Sequence, residues 1–150
     1  MAADTTKPEN RPEETSRYPC LCAVTRKAGR ILTREYDKYL KPSGLKTTQF
    51  SMLANIARNP AITVSELADL LAMDQTTVSR NLRVLEKCGY IHVEPEVADR
   101  RIKRIRIAEM GVSKLNEAKP LWEKAQSNME RVLGRASIEG LLSSFKKMAG

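Results

Sequence analysis

The chain has 150 residues, with 26 Lys and Arg against 18 Asp and Glu, a formal net charge of +8. That length fits one domain, which can bury a sufficient core without disulfides or a structural metal. No apolar run approaches the roughly 20 residues of a membrane span, and the N-terminal segment lacks the apolar stretch of a secretory signal. Three cysteines do not suggest a disulfide framework, so a cytoplasmic location is expected. The chain has one histidine and no Gly-rich phosphate loop, so it is not expected to be an enzyme or to bind a cofactor or a metal.

The charge is unevenly distributed along the chain. Residues 1–16 carry four acids, two bases and two prolines, with few large apolar side chains. Such a segment cannot offset its ordering entropy, so it is predicted to be a disordered acidic leader. The other 134 residues carry 24 bases and 14 acids, a net charge of +10, and are predicted to form one domain. This positive balance favours a polyanionic partner.

The domain is predicted to begin with two helices. Apolar residues at spacings of three and four indicate an amphipathic helix over residues 18–40, which Pro42 and Gly44 end. They are Val24, Ala28, Ile31, Leu32, Tyr36 and Tyr39. A second helix is predicted over about residues 47–58. Its inward residues are expected to be Phe50, Leu53, Ala54 and Ala57.

Two shorter helices across a tight turn are predicted next. Thr63 and Glu66 form a Thr-x-x-Glu capping box that opens the first of these helices. Its apolar side is expected to consist of Leu67, Leu70 and Leu71. Asp74 can cap the second helix, and Gly89 suits the position just after its end. Because only a tight turn near residues 72–74 separates them, the pair is typical of a helix-turn-helix.

After Gly89 the apolar pattern alternates. Tyr90, Ile91 and Val93 indicate one strand, and a second strand is marked by Ile102, Ile105 and Ile107. The polar loop between the strands completes the pattern of a winged helix. A long helix with a kink at Pro120 and a final helix are predicted to follow. Their apolar stripes are Val112, Leu115, Leu121 or Trp122, Ala125, Met129 and Val132, then Ile138, Leu141, Leu142, Phe145 and Met148. The predicted fold is mainly α with a small β wing.

The second helix of the pair carries a candidate DNA-reading face. At 100° per residue, Val78, Leu82 and Leu85 fall on the core side. The candidate contact residues on or beside the opposite face are Thr76, Thr77, Ser79, Arg80, Arg83 and Lys87. Arg can bind guanine bidentately, and hydroxyls can contact bases or phosphates.

A basic stripe alone is most often a solvated helix face. Five bases in seven wing residues favour DNA instead, because a loop Arg can enter a narrow minor groove. They are Arg100, Arg101, Lys103, Arg104 and Arg106.

Residues 45–115 carry the helix pair, the Gly89 turn and the Asp99-Arg100-Arg101 wing in the order typical of the MarR family of bacterial winged-helix regulators, which the chain resembles. The resemblance implies one MarR-type domain over residues 17–150. Residues 17–44 and 109–150 would be dimerisation helices, and residues 45–108 the winged helix-turn-helix.

The resemblance also implies roles for the wing residues. Asp99 would hold an Arg by a charge-assisted hydrogen bond, and Arg100 or Arg101 would enter the minor groove. Lys103 is placed in the same DNA-binding wing. The chain departs from the family at two positions. Ala108 replaces the usual capping Thr, and His92 stands where an Arg is common.

The expected function is a homodimeric regulator of transcription that binds double-stranded DNA. It would be a repressor released from a near-palindromic operator by an oxidant or by a small aromatic or lipophilic effector. Candidates for an effector pocket are Tyr36, Tyr39, Phe50 and Trp122, each of which also suits the core. A winged-helix module that binds protein or RNA, without a DNA operator, is the alternative.

The cysteines leave several interpretations open. Cys20 and Cys22 are candidates for redox sensing, for ordinary residues near a dimer interface, or for two ligands of a metal site that needs a third. If both are helical, their side chains point about 200° apart and cannot bridge each other. Cys88 is expected to be a packing residue, and His92 to face solvent or a DNA phosphate.

Overall fold

The structure is a computed structural model that describes residues 17–149, so the predicted acidic leader lies outside the described residues. The elements are α1 (Leu21–Leu40), α2 (Thr47–Arg58), β1 (Ile62–Thr63), α3 (Val64–Leu70), α4 (Gln75–Lys87), β2 (Ile91–Pro95), β3 (Lys103–Ile107), α5 (Glu109–Leu133) and α6 (Arg135–Ala149). A short 3₁₀ turn, Lys41–Ser43, joins α1 to α2. The predicted fold class, mainly α with a small β wing, is confirmed. Over residues 17–149, no helix combines the length and apolar character needed to cross a bilayer.

The sheet has three antiparallel strands in the order β1-β3-β2. In the wing hairpin, Ile91 lies opposite Ile107 and Val93 opposite Ile105. The prediction missed β1, whose Ile62 also lies opposite Ile105. Two residues are too few to show an alternating pattern, and this strand exists only through its pairing with β3. Ile102 was predicted to mark the second strand, but it precedes β3 and is exposed.

The core of the winged helix lies between α2, α3, α4 and the sheet. The fully buried large side chains include Leu40, Met52, Leu53, Ile56, Leu67, Val78, Leu85, Ile91 and Ile105. The predicted inward position of Ala57 is wrong, because α2 buries the side that carries Met52 and Ile56. The predicted apolar role of Leu70 is also wrong, since it ends α3 and is 55% exposed.

Helix α5 is fixed tightly to the winged helix at its first turn. The Ala108 N–H donates to the Tyr90 carbonyl over 2.9 Å, and Gly111 lies against the same carbonyl. The Lys114 ammonium donates to the Ser43 carbonyl (3.2 Å) and to Glu117 (2.7 Å). The Glu117 hydrogen bond is the main reason that the pKa of Lys114 is raised. The N-terminal part of α5 therefore contacts both the α1–α2 turn and Tyr90, in the segment between α4 and β2.

Much of the apolar surface of the outer helices is uncovered in a single chain. Helix α5 runs unbroken through Pro120 and buries Ala118, Ala125 and Met129. Two residues of the predicted stripe, Val112 and Val132, are exposed instead. The predicted stripes of α1 and α6 are likewise exposed in part, at Val24, Ile31, Leu141, Leu142, Phe145 and Met148.

Candidate nucleic-acid interface

The turn between α3 and α4 sets the direction of the second helix. Ala72 has a positive φ of 49°, and the Met73 N–H donates to the Ala68 carbonyl over 2.9 Å. Asp74 then caps α4 as predicted, since its carboxylate accepts the Thr77 hydroxyl (2.6 Å) and the Thr77 backbone N–H (2.8 Å). These two hydrogen bonds, with the hydroxyl the larger cause, lower the pKa of Asp74. An ionised carboxylate at this position also complements the positive end of the helix.

Helix α4 buries the predicted side and exposes the other. Val78, Leu82 and Leu85 are buried in the core. The candidate residues Thr76, Arg80, Arg83 and Lys87 are exposed, while Thr77 and Ser79 are half-buried. A surface depression of about 340 Å³ is lined by Gln75, Thr76, Ser79, Arg80 and Arg83. The polar and basic side chains of the first three turns therefore share one open concave face.

Two contacts in this region were not predicted. The Thr77 hydroxyl hydrogen is committed to Asp74, so this side chain serves the cap. The Gln75 side-chain amide donates to the Ser65 hydroxyl over 2.8 Å and joins the start of α4 to α3. The polar side chain of Gln75 at the first position of α4 was a signal for such a contact. Its partner could not be predicted, because Ser65 lies ten residues away in the sequence.

The wing tip differs from the expected arrangement. Asp99 accepts a hydrogen bond from the Arg101 backbone N–H (3.0 Å), and no guanidinium group of the described residues bonds to it. Asp99 therefore does hold an Arg by a hydrogen bond to its carboxylate, but the donor is the backbone N–H of Arg101 and not a guanidinium group. Arg100, Arg101 and Lys103 are exposed and make no side-chain hydrogen bond or ion pair within residues 17–149. Their charged groups are free to meet a ligand.

Arg104 is the wing base whose guanidinium group already has hydrogen-bond partners within the chain. Its Nη1 donates to the Ala61 carbonyl over 3.0 Å, and its Nη2 lies 3.0 Å from both Glu96 carboxylate oxygens. Sequence reasoning grouped Arg104 with the other wing bases and missed Glu96. Glu94 is the residue directly opposite Arg104, and Glu96 lies diagonally across the hairpin, two residues farther on. The register of the strands was therefore needed to predict the pair.

A separate cavity of about 620 Å³ lies between α1, α2 and α5. Tyr36, Phe50 and Trp122 line it as predicted, but Tyr39 does not. The Phe50 and Trp122 rings are stacked with centroids 5.8 Å apart. The Tyr36 hydroxyl donates to Gln126 over 2.6 Å, and burial, followed by the charge of Glu130, raises the pKa of Tyr36. The lining therefore combines three aromatic rings with polar and charged side chains, among them Asn55, Asn116 and Lys119. Apolar walls with convergent polar groups are found in small-molecule sites.

All three cysteines are free and exposed. Cys20 precedes α1 with φ −54° and ψ 110°, so it is not helical and the 200° separation from Cys22 does not apply. The expected packing role of Cys88 is wrong, because it follows the last turn of α4 outside the core face. His92 is exposed, as predicted. Within residues 17–149, no cluster of three or more His, Cys, Asp or Glu could hold a metal ion.

Comparison with known proteins agrees with this geometry. The family model described as MarR family matches residues 43–102. The chain is 36% identical to the M. tuberculosis transcriptional regulator MosR in a structure in complex with DNA, with a TM-score of 0.77, and the match covers 87% of this chain and 96% of that one. A second MosR structure gives 34% identity, a TM-score of 0.77, and coverage of 89% and 98%.

A mutant of MarR from E. coli, complexed with operator DNA, shares the fold at 21% identity, with a TM-score of 0.76 and coverage of 87% and 94%. The helix pair, the wing and the outer helices are thus found together in relatives that match nearly their whole length. The chain belongs to the MarR family.

Proposed function

We propose that this chain is a homodimeric, DNA-binding repressor of transcription that acts in the cytoplasm and has no catalytic activity. The observation that carries the proposal is the open face of α4 together with a wing tip whose bases have no side-chain partner among the described residues. Arg80 and Arg83 on α4, like Arg100 and Arg101 at the wing tip, make no side-chain hydrogen bond or ion pair within the described chain. Unpaired cations on two neighbouring elements suit a polyanion with grooves. MosR, at 36% identity, has been crystallised with DNA.

We assign recognition of the DNA base sequence to α4, and contacts with the minor groove or with phosphates to the wing. The first three turns of α4 present Thr76, Ser79, Arg80 and Arg83 together, which fits a helix inserted into the major groove. Lys87 lies seven residues beyond Arg80, about 10 Å farther along the helix, and suits a phosphate. Thr77 acts mainly through the cap, so among the six candidates it is the positioning residue.

The proposed dimer uses the uncovered helices. Residues of α6 such as Leu142 and Phe145 are 56% and 42% exposed in a single chain, and α6 has no buried residue among those described. Contiguous exposed apolar surface of this kind marks an interaction site. We therefore keep residues 17–44 and 109–150 as dimerisation segments and residues 45–108 as the DNA-binding part. A two-fold dimer would place its α4 helices on half-sites about 34 Å apart.

The proposed small-molecule signal acts at the cavity between α1, α2 and α5. Its volume of about 620 Å³ suits a drug-sized aromatic or lipophilic effector. Because walls from α1 and α5 meet a wall from α2, a bound molecule would contact both the dimerisation and the DNA-binding parts. Quenching of Trp122 fluorescence by a series of aromatic compounds would measure occupancy, and operator release at the same concentrations would link occupancy to function.

The proposed oxidant signal acts at Cys20 and Cys22, both exposed at the start of α1. Variants C20S/C22S and C88S form a matched pair, since each removes exposed thiols. We expect both to bind the operator, and only C20S/C22S to resist release by peroxide. Release that is unchanged in C20S/C22S would exclude this signal and leave the effector at the cavity.

The decisive experiment is selection of genomic binding sites, followed by footprinting on the selected DNA. A protected, near-palindromic site with half-sites one helical turn apart is expected, and a promoter reporter should show repression. Arg80→Ala should reduce discrimination against altered operators by about 10-fold or more. No protected symmetric site would favour the alternative, a winged-helix module that binds protein or RNA.

A further inference from the structure

We propose that Arg104 is a positioning residue that sets the wing against the helix-turn-helix and does not itself contact DNA. This inference rests on the proposed function, because its effect is read through operator binding. Its basis is one guanidinium group that bonds two segments far apart in the chain. These segments are the start of the wing loop, at Glu96, and the turn that leads into the helix-turn-helix, at Ala61.

The Glu96 contact fixes the base of the wing loop. The Glu96 backbone N–H donates to the Ile102 carbonyl over 2.8 Å, which closes the loop directly after β2. Its carboxylate, with 27% of the side chain exposed, receives Arg104 Nη2. Backbone and side chain of one residue thus hold the wing loop to β3. A charge-assisted contact that is partly shielded from solvent is stronger than an exposed ion pair.

The Ala61 contact fixes the other side. Ala61 has a positive φ of 61°, a left-handed conformation that is uncommon for a residue with a side chain. Its carbonyl accepts from Arg104 Nη1 across 43 positions in sequence. Two residues later Thr63 caps α3, and Glu66 of that capping box lies close enough for Arg104 to contribute to its lowered pKa, after the larger effects of its hydrogen bonds with Thr63. Arg104 therefore joins the wing to the first helix of the pair.

Arg104 differs from the bases around it in this respect. It is half-buried, whereas Arg101 and Arg106 are exposed and have no side-chain partner within residues 17–149. Arg106 lies on the same face of β3 as Arg104, since both alternate with the buried Ile105. Arg106→Ala is therefore a matched control, because it removes the same charge from the same strand without breaking a contact.

The test uses the full-length chain and the operator selected for the wild type, with the dissociation constant of each variant as the readout. Arg104→Ala should weaken operator binding by roughly 5- to 30-fold. This loss should exceed that of Arg106→Ala, because Arg104 is coupled to Glu96 and Ala61 through its contacts and Arg106 is not. A displaced wing tip would itself lose phosphate contacts, so the salt slope does not separate positioning from direct contact, and a double-mutant comparison is needed. In a wing-tip variant, R100A/R101A, adding Arg104→Ala should cost less than about twofold, because there is no longer a wing tip to position.

Several results would overturn the inference. If Arg104 contacted a phosphate directly, Arg104→Ala would weaken binding by the same factor in the wing-tip variant as in the wild type. Equal losses in Arg104→Ala and Arg106→Ala would show a simple charge effect, and unchanged affinity would show no role. If the wild type binds no operator, it is the proposed function that fails, and not this inference.

A second variant keeps the test informative if Arg104→Ala does not fold. Glu96→Gln removes a negative charge from the proposed DNA-binding side, which by charge alone should tighten binding to DNA. Because it also weakens the hold on Arg104, we expect weaker binding instead. Tighter binding by a folded Glu96→Gln protein, checked by circular dichroism and thermal denaturation, would refute the positioning role.

Discussion

Replacement of Gly111 by alanine tests how α5 is joined to the winged helix. A Cβ built at Gly111 lies 2.0 Å from the Tyr90 carbonyl oxygen and 2.9 Å from Ile107 Cγ1. The first of these atoms is backbone, and it already accepts the Ala108 N–H. It cannot turn aside as a flexible side chain would. Either α5 or the segment after α4 must move.

The expected magnitude follows from two opposing effects. Replacement of Gly by Ala in a helix is normally favourable by about 1 kcal/mol. Forcing an extra methyl group into a packed site typically costs about 1–3 kcal/mol, and a backbone contact this short belongs at the upper end. The difference is a loss of about 2 kcal/mol. For a chain of this length, that corresponds to a decrease in Tm of roughly 4–8 °C.

Thermal denaturation at one fixed protein concentration would measure this loss, since a dimer's Tm depends on concentration. Gly29→Ala and Gly140→Ala are suitable controls, because a Cβ at either position meets no atom within 4 Å. Both should be unchanged or slightly stabilised. If Gly111→Ala matched these controls, the close approach of α5 to Tyr90 would be refuted.

Two further predictions concern the same region and the cavity. Ala108 occupies the N-cap of α5 and makes no side-chain hydrogen bond there. The free energy of unfolding should therefore be about 1 kcal/mol higher in Ala108→Thr than in Ala108→Val, because the Thr hydroxyl can cap the helix. Chemical denaturation would measure the difference. The raised pKa of Tyr36 implies a contribution to stability that is complete below pH 10.0 and lost as pH rises through the folded-state value. Urea denaturation from pH 8 to about pH 11 should show a shallower loss in Tyr36→Phe than in the wild type.

The helix-turn-helix could be predicted because its signals are local. The Thr63–Glu66 capping box, the Asp74 cap and Gly89, whose φ is +74°, all act within a few residues of the helix ends they define. Helical phase also fixes the core side of α4. The same phase turns Cys88 about 80° away from Val78, so its exposure could have been anticipated.

The missed features depend on pairing between distant segments. β1 consists of two residues that become a strand only beside β3. The contact of Arg104 with Ala61 spans 43 positions, and its contact with Glu96 depends on hairpin register. The sequence assigned Arg100, Arg101 and Lys103 to DNA binding and gave no role to Arg104 beyond its place in the run of five bases. Separating the engaged base from the free ones required the fold.

The distinction between paired and unpaired bases affects how the positive charge of the chain would contribute to DNA binding. Residues 17–58 carry nine bases and two acids, whereas residues 74–106 carry eight and five, so most of the excess lies outside the proposed reading surface. If the exposed bases Arg80, Arg83, Lys87, Arg100, Arg101 and Lys103 all met phosphates in both protomers, the salt slope would be about −11. Bases that read guanine release fewer counterions, so we expect a shallower slope. A slope steeper than −11, measured on the selected operator, would contradict this assignment and require DNA contacts from the basic residues of α1.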